Sequence, residues 1–404
     1  MGADAGPPVE SYEVVVLGAG QAGLAAAHAL VRKGYTPGGD LLVLDGNDGP
    51  GGAWRHRWDS LTLGRAHGIA DLPGMPMPRP DEGVPASSLV ADYYGNYEEA
   101  FDLRVRRPAR VIRVEDEEGG EGGESGPLTL TVVLDGRCTR ITTRLLINAT
   151  GTWTHPYIPY VPGIERFAGR QLHTADYHRR EDFAGEKVLV VGGGLSAVQF
   201  LLELAPGSGS AGSALSTVWA TRRPPNFVDY TFDNSKASWG RDVERHVRED
   251  TEHGRRPASV VANTGIRALT EYLAGVADGT LVSRGMFTRI NEHSVTFGGA
   301  GGADGGGSEG TAGLVQPDSW SPFPDGHEEA VDVIFWNTGF RPALTHLAPL
   351  HLREPGGGIT VTNEVEVVRD DRVLLAGYGS TASTVGANRA GRLAGQVAAR
   401  RLAG

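Results

Sequence analysis

Short, largely apolar runs stand out against a chain that is otherwise polar and rich in glycine: residues 14–17, 41–44, 145–149, 187–191, 217–221 and 331–336. Their hydrophobic positions are continuous rather than alternating. That pattern predicts strands buried on both faces, as in a parallel sheet. The stretch 24–31 after the first run reads as a helix, and so does the stretch after 187–191, which continues to Leu204. Strand, helix and strand in alternation predict an α/β class. Residues 104–114, 127–134 and 137–146 have the β-branched content and turn signals of a meander instead.

Two of the runs enter glycine turns of the same kind, VVVLGAGQAG at 14–23 and VLVVGGGLSA at 188–197. In the first, Gly18 suits a tight turn, Gly20 lets a pyrophosphate approach the backbone, and Gly23 lets the helix pack on the strand. The amides of the helix that opens with Gln21 and Ala22 favour a phosphate. The next strand ends at Asp45, whose carboxylate can accept from the ribose hydroxyls of an adenosine. Asp45 lies 27 residues beyond Gly18, against roughly 20 in the usual spacing. A loop extension at 36–40 accounts for the difference.

In the second turn Gly192, Gly194 and Ala197 take the three small-residue places, with Leu195 beginning the helix and Ser196 adding a hydroxyl. The strand after it ends in Arg222 and Arg223 where the first site has an acid. An arginine neutralises a 2′-phosphate, so this swap predicts NADPH rather than NADH. Two dinucleotides in one chain are what a flavin enzyme reduced by a nicotinamide requires.

Composition narrows the field. With 38 Lys and Arg against 49 Asp and Glu the net charge is -11, which argues against nucleic acid and an anionic membrane as partners. No apolar run approaches a membrane span, no secretory signal or myristoylation site is expected at the N-terminus, and a cytoplasmic setting fits the single cysteine. Cys138 alone cannot form the redox pair of a disulfide reductase, and it is expected to be structural. No metal site is expected. A homodimer is compatible with these features.

Phe167, Gly169, His173 and Tyr177 match F-x-G-x-x-x-H-x-x-x-(Y/F/W), which resembles the fingerprint of the class B flavoprotein monooxygenases. Gly51-Gly52-Ala53-Trp54 resembles the G-G-x-W segment of that family. Ala149-Thr150-Gly151 and the stretch from Asn337-Thr338-Gly339 to Pro342 resemble its paired A-T-G and A-T-G-F-R-P segments. Gly377 through Gly391 looks like its closing strand and helix. The resemblance implies two Rossmann-like domains, with an NADPH domain at 166–335 inserted into an FAD domain at 1–165 and 336–404. It adds Gly52, Trp54, Thr150, Gly151, Thr338 and Gly339 to the cofactor-binding residues. It implies that NADPH reduces FAD and that O2 reacts as a flavin 4a-(hydro)peroxide to oxygenate a small organic substrate. Heteroatom oxidation or hydroxylation is expected before ester formation, because the fingerprint ends in Tyr177 rather than Trp. His173 is expected to position rather than to transfer protons.

Many relatives carry an asparagine beside the flavin that holds the oxygen adduct, and Gly64 stands in the corresponding stretch here. His67, Asn388 or the bound nicotinamide then takes that catalytic role, or the adduct is short-lived. Gly64 favours the alternative of an NADPH oxidase or flavin-linked reductase without oxygen transfer. A regulatory nucleotide-binding protein ranks last, since both turns keep their glycines and their charged partners. The stretch 226–248 matches no motif and could line a substrate entrance or lie on the surface. The LPGMPMP loop with Met75 and Met77 could reach substrate, though loop packing is favoured.

Overall fold

The computed structural model describes residues 9–66, 69–78, 82–116, 126–205, 215–228, 248–249, 251–256, 265–299 and 316–404. His67, most of the acidic loop at 115–126, the glycine-rich stretches 207–212 and 300–313, and most of 226–248 lie outside them. In chain order the principal elements are β1 (Glu10–Leu17), α1 (Gln21–Val31), β2 (Leu41–Leu44), α2 (Ala86–Ala100), β3 (Ala109–Asp116), β4 (Leu128–Leu134) and β5 (Arg137–Asn148). They continue with β6 (Arg170–His173), β7 (Lys187–Val191), α3 (Leu195–Leu204), β8 (Ser216–Ala220), β9 (Val333–Trp336), β10 (Val373–Leu375) and α4 (Thr384–Ala403).

The chain forms two compact units. One comprises Met1–Thr154, Arg241–Val260 and Pro342–Gly404; the other comprises His155–Gly240 and Val261–Arg341. The second unit therefore falls in two segments between those of the first: residues 155–165 and 336–341, expected in the FAD domain, group with it, while 241–260, expected in the NADPH domain, groups with the first unit.

In the first unit β2, β1, β5 and β10 lie side by side and parallel, with Val14 opposite both Leu41 and Leu145, and Leu374 opposite Ile147. The chain leaves β1 toward β2 on one side, and β5 lies on the other. The end of β1 is thus a switch point, where open α/β sheets bind ligands. β5 serves twice. It pairs antiparallel with β4 and parallel with β1, so the meander and the apolar run expected separately are one strand. β3 begins at Ala109, later than its sequence suggests, because Asp102 and Arg104 take left-handed angles and Pro108 precedes it.

α4 returns the C-terminal segment to α1. A Cβ at Gly391 would stand 2.1 Å from the Ala22 carbonyl oxygen, and one at Gly395 2.6 Å from that of Ala26. Only glycine permits this approach, which explains the glycine spacing in α4. Ala22, Ala25, Ala26 and Ala27 of α1 and Ala390, Ala394 and Ala398 of α4 form part of one core with Val14, Val16 and Ile147. No helix among the described residues is long and apolar enough to cross a membrane.

The second unit repeats the plan with β6, β9, β7 and β8, all parallel, Val333 facing both Arg170 and Val188. β7 is its switch strand. Trp336, Leu189, Ile334 and Phe297 lie in its core.

Candidate functional site

Three glycines of the first turn have three different reasons to be glycine. Gly18 has φ +95° and a Cβ there would lie 2.5 Å from the Ala149 carbonyl oxygen. A Cβ at Gly23 would lie 1.7 Å from the Gly18 carbonyl oxygen. Both are required by the protein's own packing. At Gly20 the nearest atom to an added Cβ is the Gly52 Cα at 3.8 Å, so its space is left open. Gly20 caps α1 in extended conformation without a side-chain cap, and no acidic side chain stands in the first turn. Uncapped amides facing open space suit a diphosphate. Gln21 and Ala22 are buried, and the Gln21 amide donates to the Ala70 carbonyl.

Asp45, at the end of β2, is 5% exposed and held in place. Asn47 Nδ2 donates to its Oδ1 at 3.1 Å and Arg107 Nε to its Oδ2 at 3.2 Å. Arg107 in turn grips Glu98 of α2 with two bonds of 2.7 and 2.6 Å. Burial opposes the Arg107 charge, but bonds and attraction from Glu98 and Asp45 outweigh it and raise its pKa. A carboxylate has about four acceptor positions. Two longer contacts of 3.4 Å, from the Asn47 backbone amide and from its Nδ2, add to these, so the orientation of Asp45 is fixed and a ribose hydroxyl would compete with the weakest of them. The network runs on: His56 Nε2 donates to Asn47 Oδ1 at 2.7 Å, and the His56 ring stacks on Trp153.

The G-G-A-W segment packs against this turn. Gly51 and Gly52 have φ of +115° and +54°, and a Cβ at Gly52 would lie 2.8 Å from the Gly20 Cα. Trp54 follows in a short helix, Gly52–His56. At the end of β5, Thr150 accepts from Asn148 Nδ2 at 3.0 Å and donates to the Ala343 carbonyl at 2.8 Å, while His346 Nε2 donates to Asn148 Oδ1. Gly151 has φ +65° and open space around it. These bonds tie β5 to the returning segment. Asn388 donates its amide to the Asp71 carbonyl. The Met75–Met77 loop is packed rather than free: Tyr93 donates to the Met75 carbonyl, Tyr97 to that of Pro73, and Met77 is buried. Cys138 lies in β5 as expected, but exposed.

In the second turn Gly192 has φ +138°, and a Cβ would lie 2.2 Å from the Asn337 carbonyl oxygen. Gly194 caps α3 without a side-chain partner and has nothing within 4 Å of an added Cβ. Leu195 and Ser196 are partly exposed in the first turn of α3, and Ala197 is buried. Arg222 and Arg223 are exposed, and among the described residues neither forms an ion pair. Thr338 donates to the Tyr157 carbonyl, and Gly339 has φ +79°. Among the described residues no cluster of His, Cys, Asp and Glu could hold a metal.

The fingerprint residues build the second unit. A Cβ at Gly169 would strike the Asp332 carbonyl oxygen at 2.3 Å and the Phe167 ring. His173 uses both ring nitrogens: Nε2 donates to the Gly339 carbonyl at 2.9 Å, and Nδ1 accepts from the Ala175 amide. Burial lowers its pKa, which holds it neutral. Tyr177 packs on Phe183, Phe200 and Phe335 and donates to Glu203 at 2.6 Å. Burial raises its pKa.

Sequence reasoning missed Arg107, Glu98, Asn47, His56, Arg57 and Trp153. All but Arg57 belong to the side-chain network running from Asp45, and no local motif marks that role. Tryptophans around Arg57 at 54, 58 and 153 were the available signal.

Residues 15–211 match the family described as pyridine nucleotide-disulphide oxidoreductase. The chain is 36% identical over 191 residues to the indole-3-pyruvate monooxygenase YUCCA1 of rice, covering 47% of this chain and 44% of that protein. It spans about half the length of the curated relatives it matches; an uncharacterised oxidoreductase of Bacillus velezensis matches over 52% of its length at 29% identity. Among solved structures, the flavin-containing monooxygenase of Stenotrophomonas maltophilia is 32% identical, with 98% of this chain and 99% of that one aligned at a TM-score of 0.70. A bacillithiol disulfide reductase of Bacillus cereus, 20% identical with a TM-score of 0.63 over 97% of this chain and all of that one (100%), shares the fold. Full-length similarity at this identity, on a fold of two dinucleotide-type units, decides the matter: the chain belongs to the flavin-containing monooxygenase family.

Proposed function

We propose that the protein is an FAD-dependent, NADPH-consuming monooxygenase that adds one oxygen atom of O2 to a small organic substrate, by heteroatom oxidation or hydroxylation. The observation that carries this is the contrast between the ends of β2 and β8. Two turns of one design lead to a buried, oriented Asp45 in one unit and, in the other, to exposed Arg222 and Arg223, which form no ion pair among the described residues. The first suits ribose hydroxyls and the second a 2′-phosphate.

FAD would be held by Gly18, Gly20, Gln21, Ala22, Gly23, Asp45, Gly52, Trp54, Thr150 and Gly151. NADPH would be held by Gly192, Gly194, Leu195, Ser196, Ala197, Arg222, Arg223, Thr338 and Gly339, with the Thr338 hydroxyl already engaged by Tyr157. Together the cofactors supply hydride transfer and the activation of O2; the protein supplies binding, orientation and electrostatics. Open turns receive the phosphates, Asp45 orients the adenosine, and neutral His173 steadies Gly339 without moving a proton. A small organic substrate agrees with the activity for which the rice relative is named. A cytoplasmic setting stays part of this reading.

The second reading, NADPH oxidation without oxygen transfer, draws on Gly64 and on Asn388, whose amide is committed to Asp71. Oxidation of a sulfide or indole substrate under 18O2 separates the two. Incorporation of one labelled atom per NADPH supports the monooxygenase. Hydrogen peroxide in equal amount to NADPH, with unlabelled substrate, overturns it.

A further inference from the structure

Among the described residues, Arg57, at the carboxyl edge of the first sheet, pairs with no anion. Arg57 caps the short helix Gly52–His56, and its amide donates to the Trp54 carbonyl. Its guanidinium carbon lies 4.2 Å from the centre of the Trp153 ring and 5.8 and 5.9 Å from those of Trp54 and Trp58. Its Nε is enclosed and has no hydrogen-bond acceptor. Among the described residues no carboxylate pairs with it.

Two acids that precede it in the sequence, Asp45 and Asp48, are engaged elsewhere. Arg55 pairs with Asp48, and Asp45 is held by Arg107 and Asn47. Burial pushes the Arg57 pKa down to about 10. Arg57 is half-buried, and aromatic faces return only part of the hydration its enclosed Nε gives up, so such a group favours a hydrogen-bonded anion. Its planar fork matches the paired oxygens of a phosphate or a carboxylate.

Position narrows the ligand. The helix before Arg57 begins at Gly52, which packs on Gly20 of the open turn, and Trp153 lies two residues beyond Gly151 at the end of β5. We infer that Arg57, backed by Trp153, Trp54 and Trp58, is the receptor for an anionic oxygen group of a ligand bound at this edge. The inference rests on reading this edge as the flavin site. Two sources carry such a group: the diphosphate of the flavin nucleotide, and the carboxylate of an organic-acid substrate.

The test compares flavin-loaded wild type with Arg57→Gln and Arg57→Lys. One arm measures FAD release on dilution by the rise in flavin fluorescence. The other measures binding of indole-3-propionate beside its uncharged amide by equilibrium dialysis. Loss of charge-assisted bonds should weaken one arm by about tenfold or more in Arg57→Gln. Arg57→Lys, which keeps the charge but not the fork, should fall between and decides the matter if the Gln variant does not fold. Weaker FAD retention assigns the diphosphate. Loss of the acid with the amide unchanged assigns a carboxylate substrate. Both arms within twofold of wild type, in variants with an unchanged melting temperature, overturn the inference while the flavin reading stands. Wild type that purifies without flavin takes both down.

Discussion

The two glycine turns are built to the same plan and finished differently. In the first, the helix sits so close to the strand that a Cβ at Gly23 would overlap the Gly18 carbonyl, and the strand beside it ends in an enclosed acid braced by Arg107 and Asn47. In the second, the corresponding small residue is Ala197, which fits with its methyl group, and the neighbouring strand ends in two exposed arginines. An acid oriented in advance and shielded from water suits a ligand that stays. Cations in solvent suit one that is captured by charge and released again. The contrast supports placing the proposed flavin in the first unit and the proposed nicotinamide in the second without reference to any relative.

The bracing of Asp45 is where the comparison breaks most sharply. Arg107→Met leaves buried Asp45 and half-buried Glu98 without their shared cation, and the loss should lie at the low end of the about 3–5 kcal/mol that removing one partner of a buried pair costs. Urea unfolding should show it, together with weaker flavin retention. Replacing the exposed Arg222 should change stability by no more than about 0.5 kcal/mol. Next come the glycines. Gly23→Ala places a methyl group on a backbone oxygen and should cost about 3 kcal/mol, the upper end for overpacking. Gly194→Ala meets nothing within 4 Å and should cost under about 1 kcal/mol. A loss at Gly23 as small as that at Gly194 would show that helix and strand do not meet at Gly23 as closely as described.

Arg222→Ala with Arg223→Ala should raise the Michaelis constant for NADPH by at least about tenfold, the low end for charge-assisted bonds partly exposed to solvent. NADH should change little. Initial-rate kinetics at fixed ionic strength decide it, and equal weakening of both cofactors would make the arginines structural.

The smallest expected effect is a pH dependence. His173 has its pKa lowered by burial, so the unfolded chain takes up a proton near pH 6.5 before the folded one does. Stability from this group is complete above that pH and is lost as pH falls toward the folded value. The melting temperature should drop between pH 7 and pH 5, and less so in His173→Gln. His28 and His56, also lowered by burial, keep part of the slope in the variant.

Much of this was legible in the sequence because it is local. A continuous apolar run, a glycine at a forced angle and a charge at a strand end lie within a few residues of each other, as at 14–23 and 217–223. The resemblance implied an insertion of one domain in the other, but not the grouping of 241–260 with the first unit. What was not legible is what distant residues do together. Arg107 meets Asp45 across 62 positions and Glu98 from another element. β5 looked like two elements because its two halves have partners running in opposite directions. His173 and Tyr177 form a motif in sequence, yet their work is packing within the second unit, which spacing alone does not reveal.

The central claim is that the first turn holds flavin and the second holds NADPH. Gly20→Val and Gly194→Val test it as a pair, since both positions have open space in the protein and the added side chain would stand where a diphosphate is expected. Each purified, folded variant is measured for flavin absorbance and then titrated anaerobically with NADPH. Gly20→Val should be nearly colourless. Gly194→Val should remain yellow and resist bleaching at NADPH concentrations that reduce the wild type fully. A yellow Gly20→Val protein that NADPH bleaches normally, or a colourless Gly194→Val protein, would contradict the assignment of the two turns.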